Sequence, residues 1–172
     1  MAAANPTIHE VDFCSQIASE ANILIRQNPS AYPFSEVRVE GFGEVGARRK
    51  RKDLRFYSAN GKLVLCGEVK LPGTPEGHLP LAEKLMQDAE SKASNAAVRY
   101  FFTWNVNEFV VFNRKLFDRP LLERRVRPWR LGRYLADSAA VAREENLTFI
   151  KTHFLPDLLR GLADIISGRR AE

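Results

Sequence analysis

The chain has 172 residues, enough for one domain that buries a core, and its 45% hydrophobic and 27% charged residues are ordinary globular composition. A net charge of +5 and a pI near 9.4 suit a polyanionic partner. No apolar run is long enough to cross a bilayer, no leader with a basic start and an apolar centre is visible, and Cys14 and Cys66 are expected to be reduced, packed thiols of a cytoplasmic protein.

In chain order, residues 1–6 are expected to be disordered. Thr7 with Glu10 three residues on has the spacing of a capping box. The helix predicted from there to about Gln27 carries Val11, Cys14, Ile17, Ala18, Ala21, Leu24 and Ile25 on one face, and Asn28-Pro29-Ser30 ends it. A strand follows near 34–42, where Val37 and Val39 alternate with Glu36, Arg38 and Glu40. Arg48-Arg49-Lys50-Arg51-Lys52 comes next, directly before Asp53. The run reads as a solvated charge cluster, as a nuclear-localisation-like patch, or as phosphate contacts. Its place beside Asp53 favours the last.

Residues 53–70 read as a hairpin. Asn60-Gly61 between apolar runs is a strong two-residue turn signal, because a type I′ turn needs positive φ at both central positions. With those residues at the turn, Ala59 pairs with Lys62, Tyr57 faces Val64, Arg55 faces Cys66 and Asp53 faces Glu68. Side chains alternate along a strand, so Glu68 and Lys70 share a face, and Asp53 joins them from across the ladder. Two carboxylates directly opposite repel unless water or a cation separates them. Oxygen donors of this kind suit Mg²⁺.

Asp53, a hairpin, then Glu68-Val69-Lys70 resembles the motif of the PD-(D/E)xK nuclease superfamily, and in particular the N-terminal nuclease domains of restriction-modification polypeptides. The resemblance covers roughly residues 8–113. It implies a restriction-endonuclease-like α/β fold, a mixed sheet flanked by helices in the order α-β-β-β-α-β. It also implies a Mg²⁺-dependent DNA endonuclease, Mn²⁺ being the alternative ion. Asp53, Glu68 and the Val69 carbonyl would hold the metal, with Lys70 at the water or the phosphate and Glu20, on the first helix, joining the site. DNA is the implied partner, with methyltransferase and target-recognition modules beside it, and a homodimer where both strands are cut. A catalytically silent DNA-binding or assembly module of the same fold is the alternative.

Leu71 to Gly77 is a loop with two prolines and two glycines, placed where movement over substrate would matter. The helix predicted over about 80–97 turns Leu81, Leu85, Ala89, Ala93 and Ala96 to the sheet. The resemblance assigns Gln87, then Lys84, to the active-site side, although Ser91 stands where relatives often carry a tyrosine. Strands are expected over 98–103 and 108–112, the first reached by a parallel crossover, with Asn105 and Asn107 shaping the turn between them.

Residues 114–172 form a second segment, an Arg-rich connector followed by helices that pack on the core or on a downstream domain. Arg124 and Arg125 are its candidate DNA contacts, since guanidinium forks onto phosphate oxygens. Helices are predicted over 131–144 and from Asn146 to Ile166, with Pro156 kinking the second or starting a fresh one. His9, His78 and His153 are scattered, and no zinc spacing, nucleophile elbow or P-loop is present.

Overall fold

A computed structural model describes residues 7–40, 53–77 and 79–168, with the backbone alone described at Glu40, Asp53 and Glu76. The first helix, α1 (Glu10–Gln27), buries Cys14, Ile17, Ala18, Ala21 and Ile25 of the expected stripe, adds Phe13 to it, and leaves Val11 and Leu24 half-buried. His9, not Thr7, holds the N-cap position, and no side chain caps the helix. The capping box therefore does not form, and Glu10 and Asp12 instead place their charge near the positive end of the helix dipole.

Six strands follow: β1 (Glu36–Glu40), β2 (Asp53–Tyr57), β3 (Leu63–Val69), β4 (Tyr100–Trp104), β5 (Glu108–Asn113) and β6 (Arg125–Arg130). They lie in the sheet in chain order, and every neighbouring pair is antiparallel except β3–β4. That parallel step needs a crossover, which α2 (Glu83–Asn95) supplies. The expected α-β-β-β-α-β core is present.

The sheet is buried on both faces. On one, Leu54, Phe56, Leu65, Phe102, Trp104 and Phe109 pack with α1 and with the C-terminal helix α5 (Leu155–Ile166). On the other, Cys66, Phe101, Val110 and Phe112 meet Met86, Ala89 and Ala93 of α2. Cys14 belongs to the first cluster and Cys66 to the second, so the sheet stands between the two buried thiols.

The Arg-rich segment departs from the expected connector. Residues 125–130 pair with β5 and close the sheet as a sixth strand. Pro128 is compatible because β6 is an edge strand. The helix predicted over 131–144 is replaced by extended chain and a short helix, α3 (Ser138–Ala142). Two backbone features account for this: Gly132 has φ of 85°, and the Asn107 amide clamps the backbone of Leu135 at 2.8 Å in both directions. Asp137 then caps α3 by accepting from the Ala140 N–H at 2.8 Å. The short helix α4 (Glu144–Phe149) runs through a π turn (Ile150–Phe154) into α5. Pro156 has no N–H to continue the ladder, which explains a widened turn just before it. Gly161 allows close packing here, since a Cβ at that position would lie 2.6 Å from the Trp129 ring.

The opposite edge is closed by a side chain. Asn22 of α1 donates to the Val37 carbonyl at 2.9 Å and accepts from the Val37 N–H at 2.8 Å, completing β1 as a further strand would. Asn22→Ala is expected to cost about 1–3 kcal/mol, because it strands two partly buried backbone groups. Urea denaturation measures it.

Candidate active site

The hairpin delivers Asp53 opposite Glu68, by a route other than the expected one. The turn is a three-residue loop: the Gly61 N–H bonds Ser58 O at 2.9 Å and the Ser58 N–H bonds Lys62 O at 2.8 Å. Gly61 alone takes positive φ, 80°, as in a type I turn followed by a left-handed residue. Asn60 instead accepts from the Lys62 N–H and the Ser58 hydroxyl, so its side chain stabilises the loop from outside the left-handed region. This loop offsets the ladder by one residue, and Tyr57 pairs with Leu63 rather than Val64. A bulge at Val64 restores the register, so Phe56 pairs with Leu65, Arg55 with Cys66 and Asp53 with Glu68. On the other side Asp53 pairs with Glu40, so three acidic positions stand in one cross-strand row.

The Glu68 carboxylate is fully buried, 0% exposed, on the α2 side of the sheet. Lys92 of α2 forms an ion pair with its Oε1. A buried carboxylate needs a cation, and the long Lys92 side chain supplies one while its own end reaches partial exposure. Lys70 is 8% exposed, and its Nζ lies 3.5 Å from Oε1 of Glu10 in the first turn of α1, so these ion pairs of Glu68 and Lys70 reach helices packed on opposite faces of the sheet rather than the one face that alternation implies. Its backbone N–H donates to Trp104 O at 2.9 Å, anchoring the residue as β3 ends. Thr103, beside Glu68 in the parallel pair, donates its hydroxyl to Pro80 O at 2.5 Å and fixes the start of α2 to the same row. On the exposed part of β1, the Arg38 guanidinium hydrogen-bonded to Glu36 holds that carboxyl below its ordinary range.

Other sequence candidates fall elsewhere. Gln87 is exposed and donates to Glu83 at 3.1 Å. The helix buries Leu85, Met86, Ala89 and Ala93, and Gln87 projects away from that stripe, whereas Lys92 flanks it on the β3 side. Glu20 is half-buried, roughly 15 Å along α1 from Glu10 at the helical rise per residue. Arg48, Arg49, Lys50, Arg51 and Lys52 lie outside the described residues. Arg124 turns inward, donating to the carbonyls of Arg119 at 2.8 Å and Phe117 at 3.1 Å, with Glu90 at 3.8 Å. Arg125 is exposed, donates to Leu122 O and stands three strands from Glu68.

The 71–77 loop is tied down. Thr74 bonds Leu71 O and receives the Gly77 N–H, and Asn105 donates to Gly77 O at 3.0 Å.

Sequence reasoning passed over Lys92 and Glu10. Both follow from helix position: Lys92 one residue before buried Ala93, Glu10 at the end of α1 nearest Lys70. Among the described residues, no group of three His, Cys, Asp or Glu side chains converges to hold a metal. No described helix is long and apolar enough to cross a membrane.

A six-stranded mixed sheet with helices on both faces, the acidic pair on its antiparallel β2–β3 strands, is a restriction-endonuclease-like α/β fold. No protein-family model and no curated protein matches the sequence. Among solved structures the chain is similar to the type IIG restriction endonuclease BpuSI, with TM-score 0.61 and 13% identity over 94% of this chain. It spans 17% of that enzyme's length. A fragment of a putative HsdR subunit of a type I restriction enzyme from Vibrio vulnificus YJ016 matches 83% of this chain and 26% of its own, at 18% identity and TM-score 0.36.

Proposed function

We propose that this chain is the Mg²⁺-dependent DNA endonuclease module of a restriction system, hydrolysing phosphodiester bonds. The observation that carries the reading is the pairing of Asp53 with Glu68 next to Lys70 in a restriction-endonuclease-like fold. The donor chemistry fits a hard divalent cation. Glu68 is a buried carboxylate that already takes a cation from Lys92, and Asp53 and Glu40 occupy the same row. Asp53, Glu68 and the Val69 carbonyl would hold the ion. When bound, Mg²⁺ supplies charge neutralisation at the scissile phosphate and a more acidic water. Lys70, held beside Glu10, would place its ammonium at the phosphate, where negative charge builds during displacement. The place of Glu20 in the expected site passes in this reading to Glu10. Methyltransferase and target-recognition modules would complete the assembly, which acts in the cytoplasm and pairs as a homodimer to cut both strands.

The Lys92–Glu68 ion pair favours a second reading, a silent DNA-binding module, because an ammonium on the ligand oxygen competes with the metal. Plasmid incubated with Mg²⁺ or Mn²⁺ tests the choice. Cleavage by wild type and its loss in Asp53→Ala and Lys70→Ala support the nuclease; equal behaviour with DNA still bound selects the silent module. Lys92→Met separates the two without catalysis. It is expected to destabilise the metal-free protein by about 3 kcal/mol, since it leaves a buried carboxylate without its ammonium. Mg²⁺ should then raise the melting temperature more in Lys92→Met than in wild type. No Mg²⁺-dependent shift in either protein would exclude Glu68 as a ligand.

A further inference from the structure

We infer that the cavity beyond the Lys70 end of the sheet is a binding site for one unpaired nucleotide of a DNA strand, its base against Tyr134 and its phosphate at Arg130. The inference rests on the nuclease reading for the identity of the strand, but its residues are not those of the metal site.

The cavity has a volume of about 440 Å³ and lies between residues 72–77, Leu79 and Pro80, the β4–β5 turn and residues 130–136. That is within the range of small-molecule sites. Its rim is chemically mixed. Tyr134 is 78% exposed and Leu79 is 63% exposed, so an aromatic ring and an apolar neighbour are presented to solvent. The Arg130 side chain is exposed, and its guanidinium makes no hydrogen bond or ion pair with the described residues. Glu108 is its cross-strand partner, and the two do not form an ion pair. Stacking surface, guanidinium and a carboxylate acceptor match, in turn, a base face, a phosphate and an exocyclic amine.

The walls are preformed. Asn105, 4% exposed, spans Gly77 O and the Glu108 N–H, and Asn107 clamps Leu135. Between them Val106 is held at φ of 75°, a costly conformation for a β-branched residue, with the Trp104 indole donating to its carbonyl. Arg133 is fixed by Asn146 at 3.1 Å and by the Phe149 ring at 3.7 Å, so the segment carrying Tyr134 is fastened on both sides. The cavity begins two residues after Lys70. Strand spacing puts Arg130 roughly 15 Å from Glu68, a few nucleotides along a strand. A strand with its scissile phosphate at Glu68 therefore reaches Tyr134 with a neighbouring nucleotide, provided that nucleotide is unstacked.

The test measures binding of fluorescein-labelled DNA by anisotropy in the Glu68→Gln background, which prevents cutting. A blunt duplex is compared with the same duplex carrying a three-nucleotide single-stranded end. The end is expected to tighten binding, and Tyr134→Ala and Arg130→Ala to remove about tenfold of that gain while leaving the blunt duplex within about twofold. Tyr134→Phe should retain it. Equal binding of the two duplexes, or no effect of either alanine, overturns the proposal, and so does dAMP alone binding as tightly as the single-stranded end. If no metal elicits cleavage by wild type yet the Tyr134-dependent gain is present, the pocket stands and the nuclease reading falls. If wild type cuts and the gain is absent, the reverse holds.

Discussion

Glu68→Gln is expected to lower DNA cleavage about a thousandfold or more while the protein stays folded. Glutamine keeps the shape of the side chain and removes the charge that a divalent ion requires. The fold should tolerate the change because Lys92, the partner left behind, is 30% exposed and can hydrate its ammonium. The measurement is the initial rate of plasmid nicking in Mg²⁺, with a circular dichroism melt to confirm folding. A variant that cuts at the wild-type rate would remove Glu68 from the proposed metal site. A separate variant reports on Lys92: if its ion pair with Glu68 silences the site, Lys92→Met should raise the rate rather than lower it.

Trp104→Ala is expected to cost about 3–5 kcal/mol, the range for emptying a buried aromatic site. Trp104 is 1% exposed and joins three parts of the molecule. Its ring lies 5.1 Å from Phe13 of α1, 5.6 Å from Phe109 of β5 and 5.9 Å from Phe154 of the π turn. Trp104 thus helps fasten the C-terminal helices to the sheet, alongside Trp129 against Gly161, and wild type should unfold in urea as a single transition. A loss below about 1 kcal/mol, or a separate early transition of the helices in wild type, would contradict this packing.

The parts of the molecule visible in the sequence are those set by short periods. The α1 stripe and the β3-α2-β4 crossover follow from such spacings, whereas the pairing of Asp53 with Glu68, read from a two-residue turn that does not form, holds because the bulge at Val64 cancels the offset of a three-residue loop. What was hidden depended on distant partners. Strand β6 looked like a connector because its alternation is obscured: Arg125, Arg127 and Arg130 are charged, and Trp129 finds its apolar neighbours in β5 and α5. The break of the predicted 131–144 helix comes from Asn107, far earlier in the chain. Lys92 went unnoticed because a flank position on a helix gains meaning only when the strand beside it is known. The position of β1, and with it Glu40 next to Asp53, could not be read because residues 41–52 separate β1 from β2 in the sequence, too many for a turn motif to set the register.

The hairpin between the two acids holds one residue more than a regular ladder would, at Val64. Odd and even are what the sheet counts. A lone insertion in the loop would swing Glu68 to the wrong side, yet the same insertion is harmless when a second irregularity absorbs it. The interval separating aspartate from glutamate in such chains is therefore free to drift while their meeting point stays put. A search keyed to a fixed gap would miss members that have changed both together.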